Sequence, residues 1–190
     1  MNRRQYLTVS TAALSGLAGC LGDTEYTISS VETEGDSHPL ALDVTVADRN
    51  IAIESPGRLD ITLRNTGTQD VTIKNTGVWP LGVLGLVPAD ESGSPAILLS
   101  TDKYEKADTV EIQPTGASKD NTPLTGTLAA AESIERQYEL DGQRVSGAGT
   151  YSLQGYFDAV PLSYRTGEGT DWVTYHPTVT VTLTEQSVLS

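Results

Sequence analysis

Arg58-Leu59-Asp60-Ile61-Thr62-Leu63-Arg64-Asn65-Thr66-Gly67 decides the fold class of this chain. Leu59, Ile61 and Leu63 alternate with Asp60, Thr62 and Arg64. A period of two puts every apolar side chain on one face of an extended strand. Asn65-Thr66-Gly67 then supplies the residue types that turn a chain. The next run repeats the design, with Val71 and Ile73 set against Thr72 and Lys74 and closed by Asn75-Thr76-Gly77. Upstream, Leu40, Leu42, Val44 and Val46 share a face opposite Asp43 and Thr45. Downstream, Ile134, Tyr138 and Leu140 alternate with Glu135, Gln137 and Glu139, and Arg136 interrupts the apolar face. Tyr151, Leu153 and Phe157 form another such face, and Val173, Tyr175, Val179, Val181 and Leu183 a last one among threonines. Pro177 breaks that last run, which places an edge or a bulge there. Thr127 to Glu135, with Ala129, Ala130 and Ala131, reads as one short helix. Many short strands, each with one dry and one wet face, predict an all-β fold, an antiparallel β-sandwich.

The balance of charge is strongly acidic. The chain carries 25 Asp and Glu against 12 Lys and Arg, a formal net charge of −13. Its only lysines are Lys74, Lys103, Lys106 and Lys119. Such a surface repels nucleic acid phosphates, so nucleic acid is not an expected partner. Acidic, lysine-poor composition also fits a protein that works in concentrated salt, where screening reduces the mutual repulsion of carboxylates.

The first twenty residues read as an address. Arg3 and Arg4 precede a weakly apolar stretch, and small residues lead to Cys20, the only cysteine. The stretch from Leu7 to Gly19 is too short and too rich in Ser, Thr and Gly to span a bilayer. Arg3-Arg4-Gln5-Tyr6-Leu7 resembles the twin-arginine export motif, and Leu17-Ala18-Gly19-Cys20 resembles a lipobox. The resemblance implies cleavage before Cys20, a lipid on its thiol, and residence on the outer face of the cell membrane. A two-chain lipid, at about 0.8 kcal/mol per buried methylene, makes a durable anchor. Loss of Arg3 and Arg4 with the leader takes the net charge from −13 to −15. Leader and composition together resemble the twin-arginine lipoproteins of haloarchaea. The expected organisation is a signal peptide over 1–19, a lipid-anchored tether over 20–38 with a candidate first strand at Tyr26–Thr33, and a sandwich domain over 39–190.

A second resemblance concerns the fold. The strands at 58–65 and 71–73, with Ala131-Glu132-Ser133-Ile134, Tyr138-Glu139-Leu140 and Gly149-Thr150-Tyr151, look like those of exported immunoglobulin-like domains. The intracellular proteinase inhibitor family of bacilli shares that ending. The resemblance implies an immunoglobulin-like sandwich and carries no functional residue.

Candidate chemistry is sparse. His38 and His176 are the only histidines, too few for an ordinary zinc site, so no metal or other cofactor is expected. No Gly-x-Ser-x-Gly nucleophile turn occurs, and Gly147-Ala148-Gly149 lacks the lysine of a phosphate loop. Asp90-Glu91, Glu132 with Glu135 and Glu168 with Asp171 read as solvated surface. The segment Asp102 to Asp108 lacks the ligand pattern of a calcium loop. Val78-Trp79-Pro80-Leu81-Gly82-Val83-Leu84-Gly85-Leu86-Val87 is apolar on both faces. It reads either as a buried central strand or as a partner surface carried by Trp79, Leu81 and Leu84. The functional expectation is a non-enzymatic binding or structural module of the cell envelope, with the membrane and an envelope protein as partners. The alternative is a small extracellular hydrolase or an inhibitor-like domain. The folded domain should lose stability as salt falls from molar to about 0.1 M, where the Debye length reaches about 10 Å. A melting temperature that stays level across that series would contradict the salt-adapted reading.

Overall fold

The computed structural model describes residues 24–34, 39–89, 96–114, 116–158 and 162–186. The expected signal peptide over 1–19, Cys20, His38, Asp90, Glu91 and Gly93-Ser94-Pro95 lie outside the described residues. In chain order the strands are β1 (Tyr26–Glu34), β2 (Leu40–Asp48), β3 (Asn50–Ile51), β4 (Gly57–Asn65), β5 (Val71–Asn75), β6 (Leu84–Pro88) and β7 (Ile97–Leu98). After the short helix α1 (Asp102–Glu105) come β8 (Val110–Gln113), β9 (Gly116–Lys119), β10 (Leu124–Leu128) and β11 (Ser133–Leu140). The last four are β12 (Gly149–Gly155), β13 (Leu162–Thr166), β14 (Val173–Tyr175) and β15 (Thr178–Glu185). All pairings between these strands are antiparallel.

One layer of the sandwich is the sheet β3-β1-β15-β12-β6-β7, and the facing layer is β11-β4-β2. Grouping β2, β4 and β11 in one layer and β6, β12 and β15 in the other follows the immunoglobulin pattern of early strands beside a late one. The alternation in the sequence explains the packing. Leu59, Ile61 and Leu63 of β4 are fully buried, as are Ile28, Leu86 and Val181 of the opposite layer. Tyr26–Glu34 is a strand paired with β15 along its length, from Tyr26↔Glu185 to Glu34↔Thr178.

A third sheet, β10-β5-β13-β14, closes one end of the sandwich. Its origin is visible in the register. The pair β4/β11 ends at Arg64↔Ser133, and the same antiparallel pairing resumes in β5/β10 at Val71↔Leu128. Likewise β12/β15 reaches Ser152↔Thr180, and β13/β14 resumes at Leu162↔Tyr175. Each layer thus bends one ribbon over the end, and the two ribbons join where β5 pairs with β13 at Ile73↔Tyr164. Strands that change sheets at bends are the usual corners of such packings. His176-Pro177 forms the bend between β14 and β15, which is the interruption that the proline required. Val71, Ile73, Leu128, Leu162, Tyr164 and Tyr175 line the inner side of this sheet and join the single core.

Asn65 sits at the first corner and is fully buried. Its Nδ2 donates to the carbonyls of Gln69 (2.8 Å), Leu128 (3.1 Å) and Ala129 (3.0 Å). Its Oδ1 accepts from the Gly67 amide at 2.9 Å, and its own amide donates to Glu132 O. The side chain therefore ties both strands of the ribbon at the point where ladder bonds stop. Carboxylates complete the corner: Glu132 accepts from the Ala129 amide and Asp70 from the Ala130 amide.

Three expectations are corrected here. The helix expected over Thr127–Glu135 is the end of β10, a tight turn and the start of β11. Ala131 has φ 62, and acidic side chains hold the alanine amides, so turn chemistry overrides alanine's helix propensity. Phe157 is 38% exposed, because β12 ends at Gly155 and the chain bends before it. Val173 is 41% exposed at the start of the edge strand β14.

Replacing Asn65 by Leu keeps much of the volume but removes the donors that hold three carbonyls. Each buried carbonyl left without a partner costs about 1–3 kcal/mol. Urea unfolding of Asn65→Leu should show a loss of about 3 kcal/mol or more, within the range for broken buried networks. Asn65→Asp, which turns a carboxylate toward those carbonyls, should lose at least as much. Wild-type stability in either variant would show that the corner stands without Asn65.

Candidate functional site

The outer side of the closing sheet has a composition unlike the rest of the chain. Two rows cross it. Thr125 lies opposite Lys74, Lys74 opposite Ser163, and Ser163 opposite Thr174. Thr127 lies opposite Thr72, and Thr72 opposite Arg165. Trp172, just ahead of β14, extends this second row. Its ring lies 5.0 Å from the Arg165 Cζ and 4.2 Å from the Lys74 Nζ. These eight residues are hydroxyl-bearing, cationic or aromatic, and none is acidic, in a chain with 25 acids.

Lys74 and Arg165 make no ion pair or hydrogen bond among the described residues. Every other described lysine and arginine donates to a protein oxygen. Arg58 meets Glu139, Arg64 meets Asp43, Lys103 and Lys106 meet Asp102, and Lys119 meets Asp158. Arg49 and Arg136 donate to backbone carbonyls, and Arg144 to Gln113 O. Glu168 and Asp171 stand exposed on the β13–β14 loop yet take neither cation. The two cations instead face an indole, whose quadrupole attracts them. The Arg165 Nε is buried without a hydrogen-bond partner.

The register also fixes where this face lies. Strand β1 begins at Tyr26, beside Glu185 and Ile51. The closing sheet follows the other end of β1, at Glu34↔Thr178. At about 3.3 Å per residue, β1 separates the two poles by roughly 30 Å.

The segment Val78–Val87 resolves into two parts. Leu81 and Leu84 are each 2% exposed and belong to the core, which removes them as partner contacts. Both faces of the run are apolar because β6 is covered on both sides, and the hydroxyl of the buried Tyr104 accepts the Leu84 amide at 3.0 Å. Burial also pushes the Tyr104 phenol well above its usual pKa. Trp79, half-buried and joined to Pro80 by a cis peptide, lies over Gly126 of β10. A Cβ at Gly126 would stand 2.5 Å from Trp79 Cε2, so the indole fills the space that a side chain on β10 would occupy. Trp79 Nε1 and Asn75 Oδ1 are buried without partners.

The remaining sequence candidates do not converge. His176 is exposed at the β14–β15 bend. Glu132 serves the Asn65 corner, and Glu135 points outward from β11. A cleft of about 300 Å³ lies between Ser100, Thr101, Asp102, Glu105, Gln137 and Glu139. Two of its three carboxylates are already matched: Arg58 holds Glu139, and hydrogen bonds from Lys106 and Lys103 keep Asp102 below the usual carboxylate range. No group of three or more His, Cys, Asp or Glu among the described residues is arranged to hold a metal ion. No helix among them is long and apolar enough to cross a membrane.

The model of one protein family, the domain of unknown function DUF8130, matches residues 1–190. The chain belongs to the DUF8130 family. No curated protein matches it. The match to DUF8130 covers residues 1–23 as well as the described sandwich.

Sequence reading missed the closing-sheet face. Lys74 was legible as an outward residue of its strand, but nothing local says that Arg165 and Trp172 stand beside it. The Trp79–Gly126 contact is equally non-local, and it yields a test by coupling. Gly126→Ala alone should cost about 1–3 kcal/mol through overpacking, and Trp79→Ala alone about 3–5 kcal/mol. In the Trp79→Ala background the added methyl has room, so Gly126→Ala should cost little. Additive losses in urea unfolding would refute the contact.

Proposed function

We propose that this chain is a twin-arginine-exported lipoprotein whose sandwich is a non-enzymatic binding module of the cell envelope. Cys20 carries the lipid, and the domain stands on the outer face of the membrane. The observation that carries this reading is the order Arg3-Arg4, a weakly apolar stretch, then Leu17-Ala18-Gly19-Cys20. Two further features support it. Only Leu21 to Glu25 separate Cys20 from β1, so the lipid would hold the Tyr26 pole close to the bilayer. The closing sheet would then face outward, away from the anchor. Its unpaired cations and hydroxyl rows would be presented to whatever lies beyond the membrane.

Export and anchoring are separable by mutation. Arg3→Lys with Arg4→Lys should leave uncleaved precursor in the cytoplasm. Cys20→Ser should abolish lipid labelling and move the protein from the detergent phase to the aqueous phase. Export of the double-lysine variant at the normal rate would remove the twin-arginine assignment. Unchanged detergent partitioning of Cys20→Ser would remove the anchor.

A further inference from the structure

We propose that the outer face of the closing sheet binds an anionic polysaccharide, with Lys74 and Arg165 holding its acidic groups and Trp172 with the threonine rows holding its sugar rings. The orientation part of this inference rests on the surface-lipoprotein reading above. The site itself rests on the geometry of the sheet.

Charge gives the first argument. In a chain of net charge −13, two rows free of acids that carry two cations lacking protein acceptors are a cationic spot on an acidic surface. A cation held against an indole keeps its donors available for an incoming anion, which a salt-bridged cation does not. The ligand is therefore anionic.

Shape gives the second. The face is the outer side of a four-stranded sheet, and the cleft between Ser100, Thr101, Asp102, Glu105, Gln137 and Glu139 lies elsewhere. An extended peptide docks on a sheet through an open strand edge and side-chain pockets. Here the chemistry lies on the face of central strands β5 and β13, whose backbone groups are already paired on both sides. A polymer that presents hydroxyls, an apolar ring face and a repeated acidic group matches what this face offers. Hydroxyls of Thr125, Thr127 and Thr174 are exposed for it, and Thr127 beside Thr72 and Ser163 beside Thr174 repeat hydroxyls on adjacent strands at about 4.8 Å.

Placement gives the third. The face lies at the pole opposite Tyr26. On a chain anchored through Cys20 it points away from the bilayer, so lipid headgroups are not its ligand.

The full-length lipidated chain in detergent micelles can be tested on immobilised polygalacturonate, dextran sulfate, neutral dextran and poly-glutamate. Salt is set at about 0.15 M, where the Debye length is about 8 Å. Polygalacturonate or dextran sulfate should be bound and neutral dextran should not. Whichever charged polymer binds assigns the acidic group as carboxylate or sulfate. Lys74→Gln with Arg165→Gln should weaken binding at least about tenfold, equivalent to about 1.4 kcal/mol. Trp172→Ala should weaken it too, Trp172→Phe should restore part, and Lys103→Gln with Lys106→Gln should leave it unchanged. If the double glutamine variant does not fold, Lys74→Gln alone in the folded chain serves the same comparison. Failure to bind either charged polysaccharide, or binding indifferent to Lys74, would overturn the proposal. Binding to poly-glutamate as tight as to the polysaccharides would overturn it in favour of an acidic protein. Loss of the anchor reading would appear elsewhere, in the partitioning of Cys20→Ser, with polysaccharide binding intact.

Discussion

The fold depends on a corner where two strands leave their ladder together and must not expose their backbone to the core. A buried peptide group without a partner is costly, and a bend in a ribbon creates several at once. Asn65 meets that requirement with one side chain, donating to three carbonyls and accepting one amide. An apolar residue there would fill the space but leave the carbonyls bare. A charged one would satisfy some groups and oppose others. Because the corner holds, β5 and β10 arrive over the open end of the sandwich, and Val71, Ile73 and Leu128 complete its core.

The second ribbon bends for a different reason. His176-Pro177 cannot continue a central ladder, since proline lacks the amide hydrogen. The chain therefore changes sheets there, and β14 pairs with β13 and not with β12. One corner is built from hydrogen bonds that replace the ladder, the other from a residue that forbids it. The meeting of β5 with β13 turns two independent bends into one lid. That lid has an apolar underside and an outer side free to carry chemistry.

Much of the architecture was legible because alternation reports faces. Leu59, Ile61 and Leu63 point inward as their spacing demands, and the same holds for Leu40 and Leu42 and for Val179, Val181 and Leu183. Alternation does not report partners. That Lys74 stands beside Ser163, and Arg165 beside Thr72, is a fact of register between strands far apart in sequence. The candidate site is composed of such facts, so it could not be read locally. The alanine run misled because propensity is a weak prior beside a turn whose amides are claimed by Glu132 and Asp70. A usable clue did exist. Asn-Thr-Gly occurs at 65–67 and again at 75–77, and in both places the asparagine is buried and bonded across its own turn. A repeated turn motif that begins inside a strand pattern marks a side chain with structural work as well as a loop.

The pairing of β1 with β15 has a consequence for how such a chain is made. The first strand of the sandwich lies between β3, only two residues long, and the last strand of the sandwich. During synthesis, Tyr26–Glu34 leaves the ribosome early and Thr178–Glu185 late, with nearly every other strand in between. Before then the early strand has only the two-residue β3 to pair with, and contacts of such long sequence separation as β1 with β15 form slowly. The closing sheet waits as well, because β5 needs β13. Completion of the larger layer therefore waits for β15. Any quality control that admits only folded molecules would, in this architecture, read out whether translation had run through Thr178–Glu185.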